Sequence, residues 1–145
     1  MRVLVQRVAY ARVKVEEETV GEIGPGLLLL VGIKDGDTDE DLAWMAKKCA
    51  SLRIFTDADG KMNDSVVDTG GGVLVVSQFT LYGNAKKGNR PSFVEAGAPE
   101  FAEGACARFV EMLKGYVPDV QTGRFAADMK VELLNDGPVT IWVER

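Results

Sequence analysis

The 145-residue chain contains no histidine. That absence removes Ser-His-Asp and Cys-His nucleophile arrangements and every imidazole-liganded zinc site. Cysteine is scarce: only Cys49 and Cys106 occur, too few for a four-thiolate metal site. Each lies in a helix-like apolar pattern, which points to reduced core thiols rather than a disulfide framework. No long hydrophobic run exists. The longest, Leu27 to Val31 extended by Gly32-Ile33, stops at Lys34, far short of the roughly 20 residues of a membrane helix. The start, MRVLVQRVAY, has neither an extended apolar stretch nor a small-residue cleavage pattern. A secretory leader is therefore not expected, and a cytoplasmic location is. An enzyme built from this sequence must work without an imidazole base, and neither metal nor cofactor is expected.

An excess of positive charge is lacking too. Seventeen Lys and Arg face 22 Asp and Glu, a net charge of −5, which argues against nonspecific coating of nucleic acid. The cations are unevenly spread. Arg2, Arg7, Arg12 and Lys14 precede the first acid, and Lys86, Lys87 and Arg90 share an acid-free stretch. Acids gather at Glu16 to Glu18 and between Asp35 and Asp41. Such clusters are ordinarily solvated faces, yet a small basic face holding a few phosphates fits an acidic total.

What is present reads as one α/β domain over residues 1–145, with a mixed sheet and two main helices. Val13 and Val15 alternate with Arg12 and Lys14, the period-2 pattern of a half-buried strand. Val20 to Ile23 is a second short strand, followed by the turn Gly24-Pro25-Gly26. Leu27 to Ile33 and Val73 to Phe79 do not alternate and are predicted as strands buried on both faces. A helix is predicted after Thr38, which has Asp41 three residues on, with Leu42, Met45, Ala46 and Cys49 on its buried face. A second helix opens at Pro99 and buries Phe101, Ala102, Ala105, Phe109, Met112 and Leu113, ending near Gly115. Two final strands are predicted at Met129–Leu134 and Val139–Glu144, with Asn135-Asp136-Gly137-Pro138 connecting them.

Familiar signatures fail on inspection. GNAKKGN has phosphate-loop glycine spacing but carries Asn89 where the lysine belongs, and DADGK lacks the terminal Glu of a calcium loop. What remains is SQFTLYG, in which Ser77, Gln78 and Thr80 place polar groups where a core strand runs out. On spacing alone a strand end capped by its own hydroxyls explains them better than a pocket floor does.

Read together, SQFTLYG, KKGNRPSF and TGRFAADMKVELLNDGPVTI resemble the D-aminoacyl-tRNA deacylases. The opening VLVQRVAYARVKV, then VGEIGPGLLLLVGI and LRIFTDADGKMNDSV, extend the resemblance over essentially the whole chain. It implies hydrolysis of the ester between a D-amino acid and the 3′-terminal adenosine ribose of tRNA, with leakage toward glycine. It implies a homodimer, with sheets associating across subunits, and Gly137 and Pro138 in the cis form entering the partner's pocket. L-residues are then rejected sterically. The main-chain N–H at Phe79 is the implied oxyanion donor, with the ribose 2′-hydroxyl assisting water. Ser77, Gln78 and Thr80 line or orient, with Thr80 as nucleophile the rival. Met129 and Ala127 are implied pocket walls, and Lys86, Lys87 and Arg90 implied tRNA contacts. One departure is Ala126, where such proteins usually carry glycine. A non-catalytic tRNA-binding domain is the remaining alternative.

Overall fold

The computed structural model describes residues 1–145. Its elements are β1 (Arg2–Val15), β2 (Glu18–Ile23), β3 (Gly26–Gly32), α1 (Asp39–Ser51), β4 (Phe55–Thr56), β5 (Met62–Asp64), α2 (Val66–Thr69), β6 (Gly72–Ser77), α3 (Pro99–Lys114), β7 (Val120–Thr122) and β8 (Lys130–Glu144). A 3₁₀ turn, Phe79–Tyr82, follows β6. The main sheet runs β2-β1-β3-β6-β7, and β8 pairs along the other edge of β1. β3 and β6 are parallel, as are β6 and β7, while β1 is antiparallel to β2, β3 and β8. The sheet is mixed and curls toward a barrel.

β3 and β6 are buried on both faces because each separates two cores. Leu27, Leu29 and Val31 of β3, with Val73 and Val75 of β6, face a cluster of 22 buried residues shared with α1 and α3. Leu28, Leu74 and Val76 face a second cluster of seven, closed by β1 and β2. β1 serves both. Val3 and Val5 point to the helical side, whereas Val8, Ala11 and Val13 point to the other. The exchange of sequence parity coincides with register shifts around Val8, since one extra residue turns every later side chain to the opposite face.

α1 begins as its sequence dictates. Thr38 Oγ1 accepts from the Asp41 N–H at 3.2 Å, and Asp41 accepts in return from the Thr38 N–H at 2.9 Å. Ser65 and Asp68 repeat this box at α2. α3 departs from its expected face. Phe101 is exposed in the first turn and Val110 is buried instead. Both cysteines are free and buried. No helix is long and apolar enough to cross a membrane.

Two expectations are corrected. The strand predicted to reach Phe79 stops at Ser77, because Gln78 N–H already takes the Val31 carbonyl at 2.7 Å and the chain then coils into the 3₁₀ turn. The two final strands are a single strand, β8. Both halves run antiparallel to β1, and Asn135-Asp136-Gly137-Pro138 is a swelling in the ladder rather than a hairpin. Val8 pairs with Asn135 and Gln6 with Thr140, so the four residues from Asp136 to Val139 lie opposite Arg7 alone. A loop of that size leaves the ladder intact on both sides because Asn135 bridges its neck. Its Oδ1 accepts from Val139 N–H at 3.3 Å and its Nδ2 donates to Thr140 Oγ1 at 2.9 Å.

Candidate active site

The carboxyl ends of parallel strands leave backbone groups unpaired, and ligands collect there. In this chain that edge is the end of β3 and β6, where a cleft of about 690 Å³ opens. Its floor is Ser77, Gln78 and Phe79, and one wall comes from Phe125 to Met129. The opposite wall is Phe93 with the segment leading into α3. The lining is mostly apolar, with Asp128 its one carboxylate and no cation.

The 3₁₀ turn at the floor is held from beneath. Tyr82 is buried against Gly32, where an added Cβ would come within 3.2 Å of its ring. Arg2 lies 4.3 Å over the same ring and donates from Nη1 to the Leu81 carbonyl at 3.0 Å. Burial pushes the Tyr82 hydroxyl well above its usual range, so it stays protonated. The start of the turn is the reverse case. No side chain caps it, and neither Phe79 nor Thr80 donates its N–H to another backbone group. Phe79 itself is half exposed and meets Phe93 edge-on at 5.2 Å. The turn thus leaves two backbone donors without a backbone partner, beside two aromatic rings.

Side-chain bases are scarce. Thr80 Oγ1 accepts from the Gln78 amide, and no lysine or carboxylate bonds to it. The Cys106 thiol borders a groove beside the cleft, but burial pushes it up to about 11, which leaves no useful thiolate at neutral pH. Asp128 is highly exposed and sits 3.2 Å from Lys130. No three His, Cys, Asp or Glu side chains gather at metal-binding spacing.

The expected site residues divide cleanly. Ser77, Gln78, Phe79, Ala127 and Met129 share the cleft. Thr80 follows them on the turn but is not part of the lining. Lys86, Lys87 and Arg90 are exposed on the loop beyond, outside the cleft. Gly137 and Pro138 are also outside the cleft of their own chain. Their peptide bond is cis and Gly137 has φ of +125°. Sequence reasoning missed Phe93, Phe125 and Asp128 as lining, and missed Arg7. Arg7 Nε donates to the Asp136 carbonyl at 3.1 Å and Nη1 to the Ile54 carbonyl at 2.7 Å, which braces the swelling. No local pattern announces such a residue, since its partners lie 129 and 47 positions away.

The class defined so far is a mixed α/β sheet with a largely apolar cleft at the ends of its parallel strands, and with neither imidazole nor accessible thiolate beside it. The comparisons narrow that class. A D-Tyr-tRNA(Tyr) deacylase family profile matches residues 4–144. A D-aminoacyl-tRNA deacylase of Chloroherpeton thalassium is 63% identical, covering 99% of this chain and 95% of that protein. One from Salinibacter ruber is 55% identical, covering 100% and 97%. The solved structure of a c-Myc DNA Unwinding Element Binding Protein superposes with a TM-score of 0.95 at 42% identity, covering 100% of this chain and 99% of that one. The chain belongs to the D-Tyr-tRNA(Tyr) deacylase family, and it is a hydrolase of ester bonds.

Proposed function

We propose that the protein hydrolyses the ester joining a D-amino acid to the 3′-terminal adenosine ribose of tRNA, releasing free D-amino acid and intact tRNA. The observation that carries this reading is the unpartnered Phe79 N–H at the head of a clamped turn that lines the cleft, whose one carboxylate, Asp128, is highly exposed and paired with Lys130. An aminoacyl ester is activated and has a vicinal hydroxyl beside it. Orientation and one oxyanion donor, the latter about 2.7–4 kcal/mol, then supply much of the barrier reduction. Phe79 N–H takes the developing oxyanion, and the ribose 2′-hydroxyl assists the attacking water. Ser77 and Gln78 position the ribose end, and Met129 and Ala127 wall the pocket. Lys86, Lys87 and Arg90 reach acceptor-stem phosphates, and no cofactor takes part.

Chirality is judged in this reading by the carbonyls of Gly137 and Pro138, supplied by a second copy in a homodimer. Three features support it. The pair is exposed, the segment is braced by Arg7, and it does not line the cleft of its own chain. β8 also leaves one long edge unpaired, beside the exposed Leu134 and Trp142. A D-residue turns its side chain away from the two carbonyls, whereas an L-residue drives it into them, and glycine escapes rejection. The test is release of D-tyrosine and of L-tyrosine from the matching charged tRNAs. Release of the D-form alone supports the reading, and equal rates overturn it. The rival, a Thr80 nucleophile, requires a base that no bonded neighbour of Thr80 provides.

A further inference from the structure

A tRNA terminus that enters the cleft must also leave it, carrying the phosphodiester that joins the terminal nucleoside to the rest of the chain. The cleft holds no cation to meet that charge. Two smaller cavities flank it, of about 340 Å³ beside α3 and about 530 Å³ beside the β1–β2 hairpin. Arg124 walls both. It immediately precedes Phe125, Ala126 and Ala127 of the cleft wall.

Its backbone is fixed, since the Ala127 N–H donates to the Arg124 carbonyl at 3.2 Å across a tight turn with Ala126 at φ of +60°. Its guanidinium, by contrast, bonds to no side chain or carbonyl and pairs with no acid. The other cations of these cavities are less free. Lys114 is held by Glu111 at 2.7 Å and Lys130 by Asp128 at 3.2 Å. Lys14 shares its cavity with Glu16 and Glu17, as does Arg124, whose other cavity carries Glu103 and Glu111; acids thus stand near Arg124 without bonding to it. The surface is therefore no basic track, and offers one free planar donor fork at the cleft's rim.

We propose that Arg124 binds the phosphodiester immediately preceding the terminal nucleoside of the RNA substrate. This inference rests on the tRNA-ester reading above. Its test compares D-tyrosyl-tRNA with D-tyrosyl-adenosine, which carries the ester but no phosphate, for the wild type, Arg124→Ala and Arg124→Lys over a range of salt. Removing one charge-assisted contact should lower the ratio of kcat/KM between tRNA and nucleoside ester about tenfold, through KM. The slope of log kcat/KM against log salt should become shallower by about one, and Arg124→Lys should recover most of that slope. An unchanged ratio with an unchanged salt slope overturns the assignment while leaving the deacylase reading in place. Failure of the wild type to release D-tyrosine from either substrate overturns the deacylase reading itself and this assignment with it.

Discussion

At Gly137 the backbone sits at φ of +125°, and an added Cβ would lie 2.9 Å from Val139 Cγ2 and 3.0 Å from Arg7 Nη2. Gly137→Ala should therefore cost about 1–3 kcal/mol in urea unfolding, and in the proposed mechanism it should also erode the D over L rate ratio. Ala126 shows the opposite case. It occupies left-handed space at φ of +60° with a methyl group, so Ala126→Gly should be neutral to stabilising, by up to about 1 kcal/mol, readable as a rise in Tm. Thr80 separates the two chemistries. If it only orients substrate, Thr80→Val keeps activity within about tenfold of wild type, a loss of some 1.4 kcal/mol. A nucleophile would leave no turnover and a missing acyl-enzyme burst.

The elements owe their placement to short-range signals at their ends and long-range bracing between them. The α1 box is of the first kind, and Thr38→Ala should cost about 1 kcal/mol. Backbone and side-chain hydrogen bonds from Thr38 hold the Asp41 carboxyl below its ordinary value of 3.8, and Ser65 does the same to Asp68. A lowered folded value means the contribution is fully present above the unfolded carboxylate range and is lost as pH falls through the folded values. Urea midpoints should thus hold steady from neutral pH to about 5 and fall below it, and Thr38→Ala should flatten part of that decline. The β8 swelling is of the second kind. Arg7→Ala strips donors from the Asp136 and Ile54 carbonyls, so it should cost about 1–3 kcal/mol. In the proposed mechanism it should lower the D over L ratio more than the D rate.

Across the whole molecule the ends of the chain meet. The Met1 ammonium is buried against Asp37 Oδ1 at 2.7 Å and donates to the Arg145 carbonyl at 3.0 Å. Asp37→Asn leaves that charge unpaired and should cost about 3–5 kcal/mol, visible as a large shift in the urea midpoint. Much of the architecture was legible beforehand. The unbroken runs at Leu27 and Val73 marked strands with two buried faces, Thr38 and Pro99 marked helix starts, and the missing histidine confined the chemistry. These follow from composition and from contacts a few residues apart, which periodicity and capping rules read directly. The folded chain alone decided that Phe79 heads a turn rather than ending a strand, that the Gly137-Pro138 segment swells out of one strand, that Arg7 braces that swelling and that Arg124 walls the two cavities beside the cleft. Each of those depends on partners brought together from distant parts of the chain, and local pattern carries no record of such meetings.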